Sequence, residues 1–175
     1  MYTTMKKTFY YEFLPSKAAE EAAKARGVPH RVTRTLVQIR DMTPPPKFDP
    51  KNPWTIRKSV TNGDVINGKL MLTHQSTFEY IFRYWGEEIC KHVIAGNKSY
   101  VIILDYTDED SPKRLQGESV SFEGGGNDTY FLGWMDLVRS RSVTAGDEIG
   151  LFWDNSTGTF GFKLLRKVDT PIQVD

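Results

Sequence analysis

Cysteine is almost missing from this 175-residue chain: Cys90 stands alone, so no internal disulfide can staple the fold. Histidine is nearly as scarce. His30, His74 and His92 lie too far apart for a zinc-ligand pattern, and neither a metal nor a cofactor is expected. No apolar run approaches the roughly 18 to 20 residues of a membrane-spanning helix. The opening MYTTMKKTFYYEF lacks the apolar stretch of a secretory signal, so the expectation is a soluble intracellular protein with no membrane partner. Nucleophile-elbow, phosphate-loop and H-E-x-x-H motifs are missing too. EGGGND is not followed by the helix that a phosphate cradle needs. The acidic run Asp105, Asp108, Glu109, Asp110 reads more simply as a solvated loop than as a magnesium site. An enzyme is not expected.

What the chain does have is enough apolar and aromatic material, 39% and 13%, to bury a real core at this length. Its net charge of +1 conceals an asymmetry. Residues 1–53 carry ten Lys or Arg against five Asp or Glu, whereas residues 54–167 carry 13 against 15. Net charge therefore gives no support to nucleic-acid binding by the main domain, and local patches must. SKAAEEAAKARG predicts a short helix capped by Ser16 and ended at Gly27, marginal because its stripe Ala18, Ala22, Ala25 has little apolar area to bury. RVTRTLVQIR, residues 31–40, fits a strand or a second helix. TPPPKFDPKNP, with five prolines in eleven residues, is a stiff linker. This organisation predicts a basic N-terminal extension over 1–53, a domain over 54–167 and a tail over 168–175.

Beyond the linker the pattern is one of short strands and turns. WTIRKSV and KLMLT are strand-like on either side of the loop TNGDVING. Ser76 and Glu79 form a capping-box pattern, and Phe78, Ile81, Phe82 and Trp85 follow at the spacing of one apolar helical face. SYVIILDY reads as one buried strand. SVSF and TYFL are strands around EGGGND, and DEIGLFW with GTFGFKLL makes a hairpin around DNSTG. A second helix runs from Trp134 to about Ser140, with Trp134, Leu137 and Val138 on one face covering the end of a sheet. The predicted core is Phe78, Phe82, Trp134, Val138, Ile149, Leu151, Phe160 and Phe162. Seven strands and two short helices, mainly β, point to a small open barrel.

These pieces occur in a telling order: Thr61, Asp64 and Val65; Leu70 and Leu72; Tyr130, Leu132, Gly133 and Trp134; Val138; Gly146 and Asp147; then Ile149 to Trp153. In that order they resemble the plant B3 DNA-binding domain, and GDEIGLFWD is similar to a divergent branch of that family. The resemblance covers residues 54 to about 167. It implies a seven-stranded open pseudobarrel with two helices that grips double-stranded DNA by the major groove, as a nuclear regulator of transcription. It also implies two gripping arms, one over about Lys58–Lys69 and one over about Ser119–Tyr130.

In the first arm, Arg57, Lys58 and Lys69 offer charge to phosphates, while Thr61, Asn62 and Asp64 offer polar groups; Asn62 can pair with adenine, unless Asn62-Gly63 merely makes a turn. In the second arm, Ser121, Asn127 and Thr129 are the candidate contacts. That arm departs from the family pattern, because it holds Glu118, Glu123 and Asp128 with no Lys or Arg, and its three glycines add an ordering cost. Arg139 and Arg141 read as a helix end favoured by the dipole ahead of a phosphate clamp. Lys163, Arg166 and Lys167 read as an outward basic stripe. The alternative from another class is a B3-like barrel of weak or no DNA affinity that works through protein contacts, with residues 1–53 or the acidic second arm as the candidate partner surface.

Overall fold

A computed structural model of the chain describes residues 6–13, 17–27, 33–40 and 49–168. The Ser16 cap, most of the proline-rich linker and nearly all of the C-terminal tail lie outside the described residues. The chain divides into two compact units, residues 1–44 and 45–175. In the first, strand β1 (Lys6–Phe13) pairs antiparallel with β2 (Thr33–Arg40), from Lys6 opposite Arg40 to Phe13 opposite Thr33, and helix α1 (Lys17–Ala25) lies between them in sequence. Within the segment 31–40, residues Thr33–Arg40 are thus a strand. Ala18, Ala22 and Ala25 are exposed, in keeping with a helix that has little to bury.

The second unit opens with β3 (Ile56–Ser59), α2 (Asn62–Ile66), β4 (Lys69–Leu72) and α3 (His74–Tyr80). After a single 3₁₀ turn (Phe82–Tyr84) come α4 (Glu87–Ile94), β5 (Ser99–Tyr100), β6 (Ile103–Asp105), β7 (Lys113–Leu115), β8 (Ser121–Gly124) and β9 (Tyr130–Gly133). Helix α5 (Met135–Arg141) and the hairpin β10 (Glu148–Asp154) and β11 (Thr159–Arg166) complete it. One sheet has the order β3-β10-β11-β6-β7, and the other β4-β9-β8-β5. The two share no ladder among the described residues, so the mainly β architecture is an open barrel.

The strand count exceeds the expected seven for a physical reason. SYVIILDY does not run as one strand: Ser99–Tyr100 pairs with β8 in one sheet, and Ile103–Asp105 pairs with β11 and β7 in the other. The chain changes sheets at Val101-Ile102, and the short β7 then adds an edge. Helix content also exceeds the expected pair. The apolar set Phe78, Ile81, Phe82, Trp85 is fully in the core, but it straddles a break. Helix α3 stops at Ile81, whose φ of −123° leaves the helical region, and α4 starts afresh after Gly86. Thr73, not Ser76, caps α3, its hydroxyl accepting the Ser76 amide at 3.1 Å.

Burial follows the alternation closely. All eight predicted core residues are buried. Phe82, Trp85, Phe122, Tyr130 and Phe160 pack mostly edge to face, with Phe82 5.3 Å from Tyr130 and Trp85 5.4 Å from Phe122. Such pairs add to burial itself about 0.5 to 1.5 kcal/mol each. Trp134, the residue before α5, plugs one end against Phe162 at 6.2 Å. Gly133, next to it, is a strand residue and not a turn. It ends β9, and a Cβ at this position would lie 2.2 Å from the Ser119 carbonyl oxygen, so the β8 entry can approach only a glycine.

Trp134 is 1% exposed, and its indole N–H donates to the Asp64 carbonyl at 2.9 Å. Trp134→Ala is expected to cost about 3 to 5 kcal/mol by opening a cavity. Trp134→Phe, which keeps most of the volume but orphans that carbonyl, should cost about 1 to 3 kcal/mol. Urea denaturation of the two variants checks both, and an alanine variant as stable as the wild type would contradict the packing described.

Candidate nucleic-acid interface

The two arms are joined through one ladder. The first arm runs from the end of β3 through α2 into β4 at Lys69, and the second runs through the β8–β9 turn into β9 at Tyr130. Strands β4 and β9 are antiparallel, Lys69 opposite Gly133 and Leu72 opposite Tyr130. The arms therefore attach at opposite ends of a ladder four pairs long, roughly 10 Å apart at about 3.4 Å per residue. On the inner side of this sheet Leu70, Leu72, Phe122, Tyr130 and Leu132 are buried. On the outer side Lys69 and Met71 are exposed, and Phe131 and Glu123 half-exposed.

The first arm is not a loop. Thr61 caps α2 with a complete capping box: its hydroxyl accepts the Asp64 amide at 3.2 Å, and the Asp64 carboxylate accepts the Thr61 amide at 3.0 Å. Asn62-Gly63 is the first turn of this helix, not a hairpin turn, and Asn62, Gly63 and Ile66 project into solvent. Asp64 itself is 2% exposed. Besides Thr61 it accepts the Met71 amide at 3.1 Å and the Lys58 ammonium at 2.9 Å. Burial pushes its pKa up, but the bonds from Thr61, Met71 and Lys58 outweigh this and hold the carboxyl below the ordinary carboxylate value. Asp64 is thus removed from the set of surface contacts. Lys58 goes with it, since its ammonium also donates to the Met71 carbonyl at 2.5 Å and points along the arm's base.

Of the other first-arm cations, Arg57 donates to Asn52 at 2.8 Å and faces Glu148 at 3.8 Å, while Lys69 is bound to Glu123 at 2.6 Å. In the second arm Ser121 is buried, so it too leaves the surface set. Asn127 is exposed, and the Thr129 hydroxyl donates to the Gly126 carbonyl at 2.7 Å. The three glycines do not leave this arm loose. Gly125 N–H donates to the Thr129 carbonyl at 2.8 Å, closing the turn, and Asn127 and Asp128 both take φ of 58°. A Cβ on Gly125 would meet the Phe131 ring at 2.3 Å and one on Gly124 the Val93 carbonyl oxygen at 2.5 Å, so these two glycines serve close packing.

Elsewhere, cations expected on the surface are also held internally. Arg141 binds the buried Asp105 at 2.7 Å, Lys167 binds the buried Asp147 at 2.8 Å, and Lys163 pairs with Glu109. Only Arg139 and Arg166 of that group are exposed with no ion-pair partner among the described residues. Nothing in the sequence marked these pairs, whose members lie up to 54 residues apart.

A family model described as the C-terminal domain of B3 domain-containing protein At5g26805 matches residues 54–165. At5g26805 of Arabidopsis thaliana is itself 24% identical over 163 residues, which cover 92% of this chain and 97% of its own length. At1g51970 of the same plant, also named for a B3 domain, is 30% identical over 113 residues, 65% of this chain and 87% of its own. Among solved structures, an Arabidopsis FUS3–DNA complex is similar with a TM-score of 0.45 at 14% identity, over 65% of this chain and 97% of that one.

The Asp147 carboxyl is also held below its ordinary value: burial raises it, but the bonds from Lys167, Val168 and Thr144 prevail. For both Asp64 and Asp147 the folded pKa is depressed, so their stabilisation is complete above the unfolded value near 4 and is lost as pH falls through the folded one. Urea-derived stability should therefore be flat from neutral pH to about pH 5 and fall steeply below about pH 4. Asp64→Asn should lower the neutral-pH plateau by about 3 to 5 kcal/mol, because Lys58 loses its partner, and should make the acid slope shallower.

Proposed function

Because this chain belongs to the B3 domain-containing family, we propose that residues 54–167 bind double-stranded DNA sequence-specifically through the major groove, as a nuclear regulator of plant transcription. The observation that carries this reading is the family match over residues 54–165, joined to two projections that present the exposed amides of Asn62 and Asn127. Both projections are closed by their own hydrogen bonds, one as a capped helical turn and the other as a hairpin. Preorganisation of this kind lowers the ordering cost of association.

The groups left to read bases are the exposed ones. Asn62 at the start of α2 and Asn127 at the hairpin tip carry amides able to pair with adenine, and Thr61 adds a hydroxyl, whereas the half-buried Thr129 spends its own on Gly126. Phosphate contact in the specific complex falls to Arg57, which shares its charge with Glu148, while Lys69 is paired with Glu123. A second reading, a barrel that works through protein contacts, is favoured by one observation: the second arm has no Lys or Arg. Residues 1–53 are the candidate partner surface in that case.

The experiment is selection from a random duplex pool followed by titration of the selected site. Asn62→Ala should relax preference at one base pair by about 1 to 3 kcal/mol and leave thermal stability within about 0.5 kcal/mol of wild type. Selection that returns no enriched sequence, with binding to duplex indifferent to salt, would favour the protein-contact reading.

A further inference from the structure

Lys69 opens β4 at the foot of the first arm, and its charge does not stand free. It projects from the outer side of β4, with its side chain 47% exposed, and Glu123 reaches it from the outer side of β8 at 2.6 Å. Strand β9 separates the two, with Gly133 opposite Lys69 and Phe131 opposite Glu123. Glu123 is the recessed member at 14% exposure, so it lies below the surface that a ligand would touch first, while the lysine stands above it.

Resting on the DNA-binding reading above, we propose that Glu123 is a specificity-determining residue that stands in for a DNA phosphate: it occupies Lys69 in the free protein and withholds that cation from non-specific binding. Non-specific affinity comes almost wholly from phosphate neutralisation, with each contact contributing about 0.9 to the logarithmic salt slope. A lysine already neutralised by a fixed carboxylate contributes little to it. Contacts from the arm tips to bases are untouched by this pair, so the ratio of specific to non-specific affinity rises. Glu123 is too recessed to accept a hydrogen bond from a base itself, so it acts on recognition through Lys69.

The test is the affinity of the full chain for random duplex DNA between 50 and 200 mM salt, for wild type, Glu123→Gln and the double variant Lys69→Gln/Glu123→Gln. Glu123→Gln keeps the side-chain shape and releases the lysine. It should bind random duplex several-fold more tightly at 50 mM, with a salt slope steeper by about 0.9, so that the gain shrinks about threefold by 200 mM. Discrimination between the selected site and random duplex should fall by a similar factor. The double variant should lose the gain and the added slope. Thermal denaturation confirms that all three are folded. If wild type binds with a salt-dependent slope and Glu123→Gln matches it in affinity and slope, the proposal falls and DNA binding stands. If the double variant binds as tightly as Glu123→Gln, Lys69 is not the group released, and the proposal again falls. If neither wild type nor Glu123→Gln binds duplex at 50 mM, the DNA-binding reading falls and the proposal with it.

Discussion

The buried carboxylate of Asp64 is the constraint on which both the arm and the barrel end depend. It lies in α2, yet its partners come from three places: Thr61 before the helix, Lys58 on β3 and Met71 on β4. Its own carbonyl receives the indole N–H of Trp134, 70 residues away, and the Trp134 amide is bound by the Gly68 carbonyl. A carboxylate taken out of water is costly unless every lone pair finds a donor. Here two amides and an ammonium supply them. The first arm thus has little freedom to move without exposing Asp64 and loosening Trp134, which explains how a projection of a dozen residues keeps one shape.

Two further aspartates repeat the device. Asp147 accepts the Thr144 and Val168 amides and Lys167, fixing the turn into β10 against the chain after β11. Asp105 accepts the Thr107 amide and Arg141, tying the end of β6 to the end of α5. In each case a short strand or turn with few apolar contacts of its own is held by one acid and one base. The electrostatic consequence is shared. Lys58, Arg141 and Lys167 are committed to structure, and with Lys69 and Lys163 also paired, most of the cations on this domain are matched close at hand.

This division explains what could be read in advance. The alternation in DEIGLFW and GTFGFKLL is local, and it defined the β10–β11 hairpin and its buried face. The spacing of Phe78, Ile81, Phe82 and Trp85 likewise showed that these residues are core, though not that α3 breaks at Ile81. The break is set by what the residues pack against, since Phe82 must reach Phe122 and Tyr130 while Trp85 reaches Trp153 and Phe160. SYVIILDY was misleading for the same reason, because a uniformly apolar stretch carries no mark of where the chain passes between sheets. At the candidate site the resemblance pointed to two segments, but nothing in the sequence showed the state of each charged residue within them. Lys58 and Lys69 look alike in sequence. Their partners are six and 54 positions away, and only the folded chain shows one as buried structure and the other as a shielded surface charge.

A domain so closely neutralised faces a particular trade when it meets DNA. A surface with many free cations gains affinity for every duplex alike, and its selectivity must be won back through base contacts against an abundance of non-specific sites. Under the proposed DNA-binding reading, the paired carboxylates would suppress that general attraction at the outset, and binding would draw on the shape of two hydrogen-bonded projections and on uncharged amides and hydroxyls. Such contacts are individually modest, about 1 to 3 kcal/mol for a good bidentate pair. Rigidity is then what makes them sufficient, because little of their free energy is lost to ordering the arms. Under that reading Asp64, Thr61 and the closed Gly125–Thr129 turn would take part in recognition without touching the ligand, by holding the contacting groups in place while the neighbouring ion pairs keep the surface from adhering to any phosphate backbone.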